Sequence, residues 1–293
     1  MKVPAETLLV TERSDYSEQR SFVFGGEAKL PEIQYLAYFH NACDQIRGEA
    51  ASLQFFSNDQ YRNPIVMRVA ALGYQKGFGG HFHNDNSITA LRDIPGLIAG
   101  CASRGDDAAA MLRTMMALAK VDGRVCAFLE PIALYMTKDL YESGDGQWQF
   151  AYPAPGRAMT LGEGRIYNEA ARDLVVFTFG NGVPMALRAA RAIEKEQGWQ
   201  VRVVDLRWLV PLNDAFIAAQ AKEAKRILVL DEGRKSAGVG EGIITAIAEA
   251  GCGATPMKRV VGADTFTPLA GAALLVLPGE AEIVAAAREL AAR

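Results

Sequence analysis

The stretch DLVVFTFGNGVPMALRAARAIEKEQGWQVRVVDL, Asp173 to Leu206, decides the fold class. It begins and ends with runs rich in β-branched residues, DLVVFTF and QVRVVDL, each of a length typical of a buried strand. Between them, VPMALRAARAIEKEQ predicts an amphipathic helix because its apolar residues recur at helical spacing. A strand, a helix and a strand in succession predict parallel strands joined by a crossover helix.

The same alternation continues on both sides of this stretch. Downstream, RILVLDE and KRVVGAD predict strands, and NDAFIAAQAKEA, GVGEGIITAIAEAG and EAEIVAAARELAAR predict helices, the first capped by Asn213 and the second ending at Gly251. Upstream, NPIVMRVAAL, IPGLIAGCAS and RVCAFLEP predict buried strands. One helix is expected over HNACDQIRGEAASLQFF, and another, capped by Ser103, is expected to run to about Ala119. The chain is therefore predicted to be α/β, with two doubly wound domains.

Changes in composition predict where these domains begin and end. Residues 1–30 are polar and charged with weak periodicity, which indicates a partly ordered N-terminal arm. Residues 31–140 form the first predicted domain and residues 173–293 the second. Residues 141–172 are rich in Gly and Pro, which is typical of a linker at a domain boundary.

The composition argues against several classes of protein. The chain has 293 residues, half of them hydrophobic, and a net charge of −3, which suits a globular protein with one large core or two ordinary ones. It has no run of 18 apolar residues, no pattern of a secretory signal and no basic cluster, so we expect neither a membrane span nor nucleic acid as the main partner. Its four cysteines are far apart, which favours reduced thiols in a cytoplasmic protein over a zinc site or disulfides.

Two glycine-rich turns resemble nucleotide-binding loops only superficially. Gly238-Val-Gly240-Glu-Gly242 opens a helix, but the spacing is not G-x-G-x-x-G and the preceding strand is not the first of its domain. Gly180-Asn181-Gly182 is short and lacks a lysine. Both patterns favour tight turns between a strand and a helix.

The loop GFGGHFHNDNS, Gly77 to Ser87, contains two of the three histidines, His81 and His83. In an extended segment both rings would face the same side and could bind a metal, although Asp85 is the only nearby candidate for a third ligand. A histidine on a glycine-rich loop is also well suited to general acid or base catalysis. An ordinary hydrogen-bonding role is the third possibility, and the residues alone leave all three open.

Several motifs occur together in one order: PEIQYLAYFHNACDQIRGEAA, GFGGHFHNDNS, DIPGLIAGCASRGDDAAAML, FLEPIALY, VVFTFGNGVPMALRAA, VVDLRWLVPLN, ILVLDEG and RVVGADTFTP. From Pro31 to its end the chain thereby resembles the beta subunit of the thiamine-diphosphate-dependent 2-oxo acid dehydrogenases. The EIQYLAYF segment is most similar to chains in which alpha and beta parts are fused. The resemblance implies an incomplete domain similar to the pyrimidine-binding domain of transketolase, followed by one similar to its C-terminal domain.

The resemblance also implies roles for particular residues. His83 matches the active-site histidine, a proton donor and electrostatic partner of the 2-oxo acid carboxylate or the lipoyl group, whereas His81 has no assigned role. Tyr38 matches an aromatic residue that lies against the aminopyrimidine ring of the cofactor, and Gln34 is expected to line the same pocket. The loop from Ala119 to Asp122 matches a region that binds a structural potassium ion in some relatives.

The chain departs from the family at its N-terminal end. The family has a glutamate in a small-residue helix upstream of the EIQ strand, where it hydrogen-bonds the aminopyrimidine and promotes activation of the cofactor. Here Glu18 and Glu27 lie in a segment of a different kind, and the family's first strand and helix are missing. The chain also lacks the motif that holds diphosphate and magnesium, which belongs to the alpha subunit.

These observations predict a subunit that binds thiamine diphosphate and magnesium only with a partner, either an alpha-type subunit or a fused alpha half. The family decarboxylates a 2-oxo acid and acylates a lipoyl-bearing acyltransferase component, and an active site shared between chains requires an oligomer. Two alternatives stay open. One is a non-catalytic assembly protein, a truncated beta-like chain, and the other is a different transketolase-like enzyme, such as a sugar-phosphate ketol transferase.

Overall fold

A computed structural model of the chain describes residues 28–292, which form two five-stranded sheets flanked by helices. Glu18, Glu27 and the rest of the predicted arm up to residue 27 lie outside the described residues. The α/β architecture and the presence of two sheets confirm the fold class expected from the alternating pattern.

The first sheet has the order β1-β2-β4-β3-β8. Its strands are β1 (Glu32–Ile33), β2 (Ile65–Ala71), β3 (Ile98–Cys101), β4 (Val125–Pro131) and β8 (Trp208–Val210). The first four are parallel, and β8 is antiparallel to β3. The central strands are buried on both faces, which explains why they are continuous apolar runs rather than alternating ones.

Helices of the first domain connect these strands. They are α1 (Phe39–Gln45), α2 (Leu53–Phe56), α3 (Ile88–Arg92) and α4 (Gly105–Asp122). The longest, α4, carries Asp106 and Asp107 in its first turn and ends at Gly123, whose φ of +69° favours glycine. The residue before α4 is Arg104, which makes no side-chain capping bond, so the predicted cap at Ser103 is wrong.

The second sheet has the order β10-β9-β6-β7-β5. Its strands are β5 (Arg165–Tyr167), β6 (Leu174–Thr178), β7 (Val201–Asp205), β9 (Ile227–Arg234) and β10 (Met257–Gly262). The intervening helices are α5 (Gly182–Gln197), α6 (Asp214–Lys222), α7 (Val239–Ile247) and α8 (Glu280–Ala291). Asn213 Oδ1 accepts a hydrogen bond from Phe216 N, which confirms the predicted cap of α6.

The two domains are joined more closely than a linker implies. Strand β8, from the second half of the chain, pairs with β3 of the first sheet through Gly100 and Trp208. Gly100 allows this approach, since a Cβ there would lie 3.2 Å from the Trp208 ring and 2.7 Å from Met111 Cε. Within the Gly- and Pro-rich segment 141–172, Trp148 and Met159 are buried, so this segment packs on the domains that it connects.

One stretch, residues 270–291, is long and apolar enough to cross a membrane by length and composition alone. In the structure this stretch contains a 3-10 helix, Ala270–Leu275, and then α8, with residues 276–279 between them. Ile283, Ala287 and Leu290 of α8 are buried in a core shared with α5 and the second sheet. The apolar face of α8 is therefore accounted for by packing within the domain.

Candidate functional site

His83 lies against two tyrosines at the carboxyl edge of the first sheet. The imidazole centre is 4.8 Å from the ring of Tyr35 and 6.4 Å from the ring of Tyr38, and the two tyrosine rings are 5.7 Å apart. The tyrosines follow β1, and His83 belongs to the loop after β2. Since β1 and β2 are parallel, their carboxyl ends meet at one edge, where ligands bind in open α/β sheets. We call these three residues the tyrosine–histidine cluster.

Glycines shape the turn that presents His83. His83 N donates to Gly80 O at 3.0 Å, and Gly80 has a φ of +79°, which other residues rarely adopt. Gly79 lies directly against the imidazole, since a Cβ there would be 2.8 Å from His83 Nδ1. Asn84, fully buried, holds the turn by accepting from Gly79 N and donating to Gly73 O, each at 2.8 Å. The predicted catalytic loop is thus a fixed turn with one partly exposed imidazole.

The structure does not support a metal site at the two histidines. His81 is exposed, and its ring contacts Phe82 at 4.1 Å and Phe266 at 5.0 Å rather than the tyrosine–histidine cluster. The carboxylate of Asp85 binds Arg234 at 2.6 Å and accepts from Ser87, so it is not available as a third ligand. Across residues 28–292, no three His, Cys, Asp or Glu side chains are placed to hold a metal ion.

The structure brings Tyr38 beside His83, shows no contact of Gln34 with this cluster among the described residues, and adds Tyr35. Tyr38 belongs to the cluster, and Gln34 is exposed at the end of β1. Tyr35 was not predicted as a site residue, although its ring is nearer to the His83 imidazole than the ring of Tyr38 is. The signal was present in the spacing, because residues i and i+3 of a 3-10 turn lie on the same side of that turn.

Ala119 and Asp122 lie at the opposite edge of the first sheet and in a helix rather than a loop. Both belong to the last turn of α4, which precedes the amino end of β4. The carbonyl of Asp122 accepts from Gln54 Nε2 at 3.2 Å, and the carbonyl before it accepts from Arg62 Nη1 at 3.3 Å. A guanidinium therefore supplies positive charge where a potassium ion was predicted, and the potassium site stays a prediction that requires Arg62 to move.

Two adjacent buried carboxylates, Asp231 and Glu232, lie near the carboxyl end of β9. Asp231 accepts from Gly233 N at 2.8 Å and from Gly240 N at 2.7 Å, so the glycine-rich start of α7 is bound to a carboxylate of its own domain. Glu232 accepts from Tyr74 N at 2.9 Å and from Asn181 Nδ2 at 2.8 Å. Burial raises the pKa of both carboxyl groups, opposed by these hydrogen bonds.

A second group of buried charges lies near the start of α4. The Asp107 carboxylate binds Arg165 Nη2 at 2.7 Å and Arg207 Nη2 at 2.8 Å. Asp205, at the end of β7, is fully buried, and burial raises its pKa to about 7. These residues were not predicted, because the sequence does not show whether an Asp at the end of a strand is buried or exposed to solvent.

The tyrosine–histidine cluster fits one part of a thiamine cofactor and lacks another. Aromatic rings offer a surface for a flat heterocycle, and His83 adds a proton-exchanging group beside them. However, no carboxylate among residues 28–292 hydrogen-bonds Tyr35, Tyr38 or His83. The nearest acid on the same strand, Glu32, is largely exposed and pairs with Arg68 at 3.6 Å. The carboxylate that the aminopyrimidine requires is therefore absent from the described part of the cluster.

Comparison with known proteins supports the resemblance seen in the motifs. The family model described as "Transketolase, C-terminal domain" matches residues 162–280. "Pyruvate dehydrogenase E1 component subunit beta" of Staphylococcus aureus (strain N315) is 27% identical over 271 residues, covering 90% of this chain and 76% of that protein. "3-methyl-2-oxobutanoate dehydrogenase subunit beta" of Mycobacterium tuberculosis (strain ATCC 25618 / H37Rv) is 29% identical over 257 residues, covering 87% and 68%.

A solved structure described as "Split gene transketolase, inactive beta4 tetramer" has the same fold. It aligns with a TM-score of 0.64 at 16% identity, over 89% of this chain and 75% of that chain. The chain is thus similar to beta subunits of 2-oxo acid dehydrogenases and has a transketolase-like α/β fold. Both statements confirm what the motifs predicted.

Proposed function

We propose that this chain is a beta-type subunit of the first component of a 2-oxo acid dehydrogenase complex, and that it works with an alpha-type chain. The observation that carries the proposal is the tyrosine–histidine cluster at the carboxyl edge of the first sheet. The relatives named as beta subunits support it, because their similarity extends over most of the chain rather than one domain.

Each residue of the cluster has a role in this proposal. Tyr38 and Tyr35 form an aromatic wall for the aminopyrimidine ring, and Gln34 lines the same edge. His83 donates a proton and faces the carboxylate of the 2-oxo acid or the lipoyl group, since histidine exchanges protons near neutral pH. Thiamine diphosphate, when bound, supplies the electron sink for loss of carbon dioxide.

The groups that the described residues lack define the partner. A carboxylate for the aminopyrimidine and the ligands for magnesium and diphosphate come from outside residues 28–292. We therefore propose an alpha-type subunit or fused alpha half as the partner, within a homo- or hetero-oligomer. A lipoyl-bearing acyltransferase component would receive the acyl group.

One alternative is favoured by a specific observation. Because no described carboxylate contacts the cluster, the chain could assemble with a partner without catalysing the reaction. In that case the aromatic cluster would be a remnant with no ligand.

Calorimetric titration of thiamine diphosphate and magnesium into the full chain, alone and mixed with an alpha-type subunit, separates the two candidates. The proposal expects binding only in the mixture, followed by decarboxylation of pyruvate or a branched 2-oxo acid. Stable co-assembly without cofactor binding would reject the enzyme and favour the assembly protein.

The role of His83 has its own test in the assembled complex. His83→Ala should lower lipoyl acylation by about 100-fold or more, the usual contribution of a general acid, and lower the first decarboxylation less. His81→Ala is the matched control two residues away and should change neither rate substantially. Equal losses in both half-reactions for His83→Ala would contradict the assigned role.

A further inference from the structure

The loop that carries His83, residues 73–87, is fastened to the second domain at its base. Glu232 of β9 accepts from Tyr74 N at 2.9 Å through Oε1, and its backbone carbonyl accepts from Asn86 Nδ2 at 2.9 Å. The approach is close, since a Cβ on Gly73 would lie 3.2 Å from Glu232 Oε1. One residue of the second domain therefore contacts both the start and the end of the loop.

The carboxylate of Glu232 has hydrogen-bond donors but no cation among residues 28–292. Its Oε2 accepts from Asn181 Nδ2 at 2.8 Å, at the start of α5, and the side chain is buried. Within residues 28–292, no Lys, Arg or His forms an ion pair with it. Burial of a carboxylate without a counter-charge lowers the stability of the fold. The role of Glu232 therefore lies in its hydrogen bonds to the loop and to Asn181, which an apolar side chain could not accept.

A set of hydrogen bonds leads from the backbone carbonyl of Glu232 through Asn86 to Gly79, which lies against the imidazole. Asn86 Oδ1 accepts from Gly73 N at 2.8 Å, and Gly73 O accepts from Asn84 Nδ2 at 2.8 Å. Asn84 Oδ1 in turn accepts from Gly79 N at 2.8 Å, and Gly79 lies against the imidazole of His83. Every intermediate group is a backbone amide or an asparagine side chain held by two partners, which suits transmission of position rather than of protons.

We infer that Glu232 is a positioning residue for His83, and that the second domain thereby fixes the direction of the imidazole relative to Tyr35 and Tyr38. The inference rests on the proposed function for the meaning of that direction, although the fastening itself does not depend on it. Loss of the carboxylate removes the acceptor of Tyr74 N, so the base of the loop is held only by Asn86 at the backbone carbonyl of residue 232, and the imidazole then samples orientations away from the tyrosine rings.

Asp231, the neighbour of Glu232, provides a matched control. It is equally buried at the end of the same strand, but its carboxylate accepts only from Gly233 N and Gly240 N of its own domain. Asp231→Asn disturbs a buried carboxylate of β9 without touching the loop. Glu232→Gln is the conservative variant, because its amide oxygen still accepts from Tyr74 N. Its amide nitrogen can donate to Asn181 Oδ1 once the Asn181 amide turns over, and this oxygen has no hydrogen bond within residues 28–292.

Amide hydrogen exchange on the full chain tests the fastening. Glu232→Ala should speed exchange in residues 73–87 by about tenfold or more relative to β2 and β4, while Glu232→Gln and Asp231→Asn leave that segment near wild type. If Glu232→Ala does not fold, Asn86→Ala breaks the other fastening, at the Glu232 backbone carbonyl, and should also increase exchange in residues 73–87. A uniform increase over the whole first domain, or unchanged exchange in 73–87, would overturn the inference.

The imidazole itself gives a second readout. The Cε1–Hε1 resonances of the three histidines are distinguishable by substitution, and that of His83 should shift and broaden in Glu232→Ala while those of His40 and His81 do not. In the complex with an alpha-type chain, Glu232→Ala should lower the turnover number for lipoyl acylation and Glu232→Gln should restore it. An unchanged His83 resonance in Glu232→Ala would refute the positioning role. Absence of thiamine diphosphate binding in the wild-type complex would instead refute the proposed function and leave the exchange result intact.

Discussion

Substitution of Asp205 by asparagine should stabilise the protein in alkaline solution and have little effect in acid. Asp205 ends β7 and is fully buried, and burial raises its pKa from the ordinary 3.8 to about 7. Arg207 N donates to Oδ1 at 3.1 Å. Arg207 and the Ser103 hydroxyl both oppose the effect of burial on this pKa without offsetting it. Folding therefore favours the protonated form of this carboxyl group, and ionisation in the folded state is costly.

The sign and size follow from proton linkage. Between pH 4 and 7 the folded chain holds a proton on Asp205 that the unfolded chain has lost, so this group's contribution to stability is complete below pH 4 and is lost as the pH rises through about 7. At about 1.4 kcal/mol per pH unit, a difference of about three units amounts to at most about 4 kcal/mol. Asparagine removes this loss, keeps an acceptor for Arg207 N, and can donate to Ser103 Oγ, the hydroxyl that already interacts with this carboxyl group.

Urea denaturation at pH 4.5 and pH 8 measures the effect. Asp205→Asn should raise the free energy of unfolding by roughly 2 to 4 kcal/mol at pH 8 and by less than about 1 kcal/mol at pH 4.5. Asp173→Asn is a control without this pH dependence, because Lys225 lowers the pKa of the Asp173 carboxyl below its ordinary value, so the ion pair is present, and lost in the variant, at both pH 4.5 and pH 8. An equal gain for Asp205→Asn at both pH values would refute the reasoning.

Two further predictions concern buried and half-buried charges. Asp107→Ala should lower the free energy of unfolding by about 3 to 5 kcal/mol, because it leaves the guanidinium groups of Arg165 and Arg207 without their shared carboxylate. Asp106 is more exposed, and Asp106→Ala should lower the free energy of unfolding by about 1 kcal/mol or less. Equal losses for the two variants would contradict this account. Arg62→Ala should make thermal stability depend on potassium chloride relative to sodium chloride, since it uncovers the Val121 carbonyl at the end of α4. The same melting temperature in both salts would remove the basis for a potassium site there.

Local sequence signals predicted the regular elements well, because those signals act within a single helix or strand. The apolar spacing of α5 and the Asn213 cap of α6 depend only on residues a few positions apart. Strand β8 has three residues, and its pairing with β3 depends on Gly100, more than 100 positions upstream, making room for Trp208. No local pattern contains that information, since the strand exists only where the two domains meet.

The residues of the candidate site also differ in whether the sequence alone could identify them. His83 and Tyr38 were identified because motifs resemble a family, and Tyr35 could have been identified from its spacing to Tyr38. Glu232 could not, because its function depends on a loop about 150 positions away and on the absence of a cation, and neither is visible in the strand sequence. Burial turns an ordinary acidic residue into a structural acceptor, and burial is a property of the assembled domains.

Among the described residues, β1 has a free edge and the tyrosine–histidine cluster has no carboxylate. These two positions lie close together, which restricts how the site can be completed. Among residues 28–292, β1 has only two residues and pairs with β2 on one side alone. The tyrosine–histidine cluster, which lacks a carboxylate, begins two residues after β1. A group that extends the first sheet along β1 would therefore also reach Tyr35, whether it comes from outside the described residues or from a partner chain. We therefore expect cofactor binding to appear only together with a contact at this edge of the sheet.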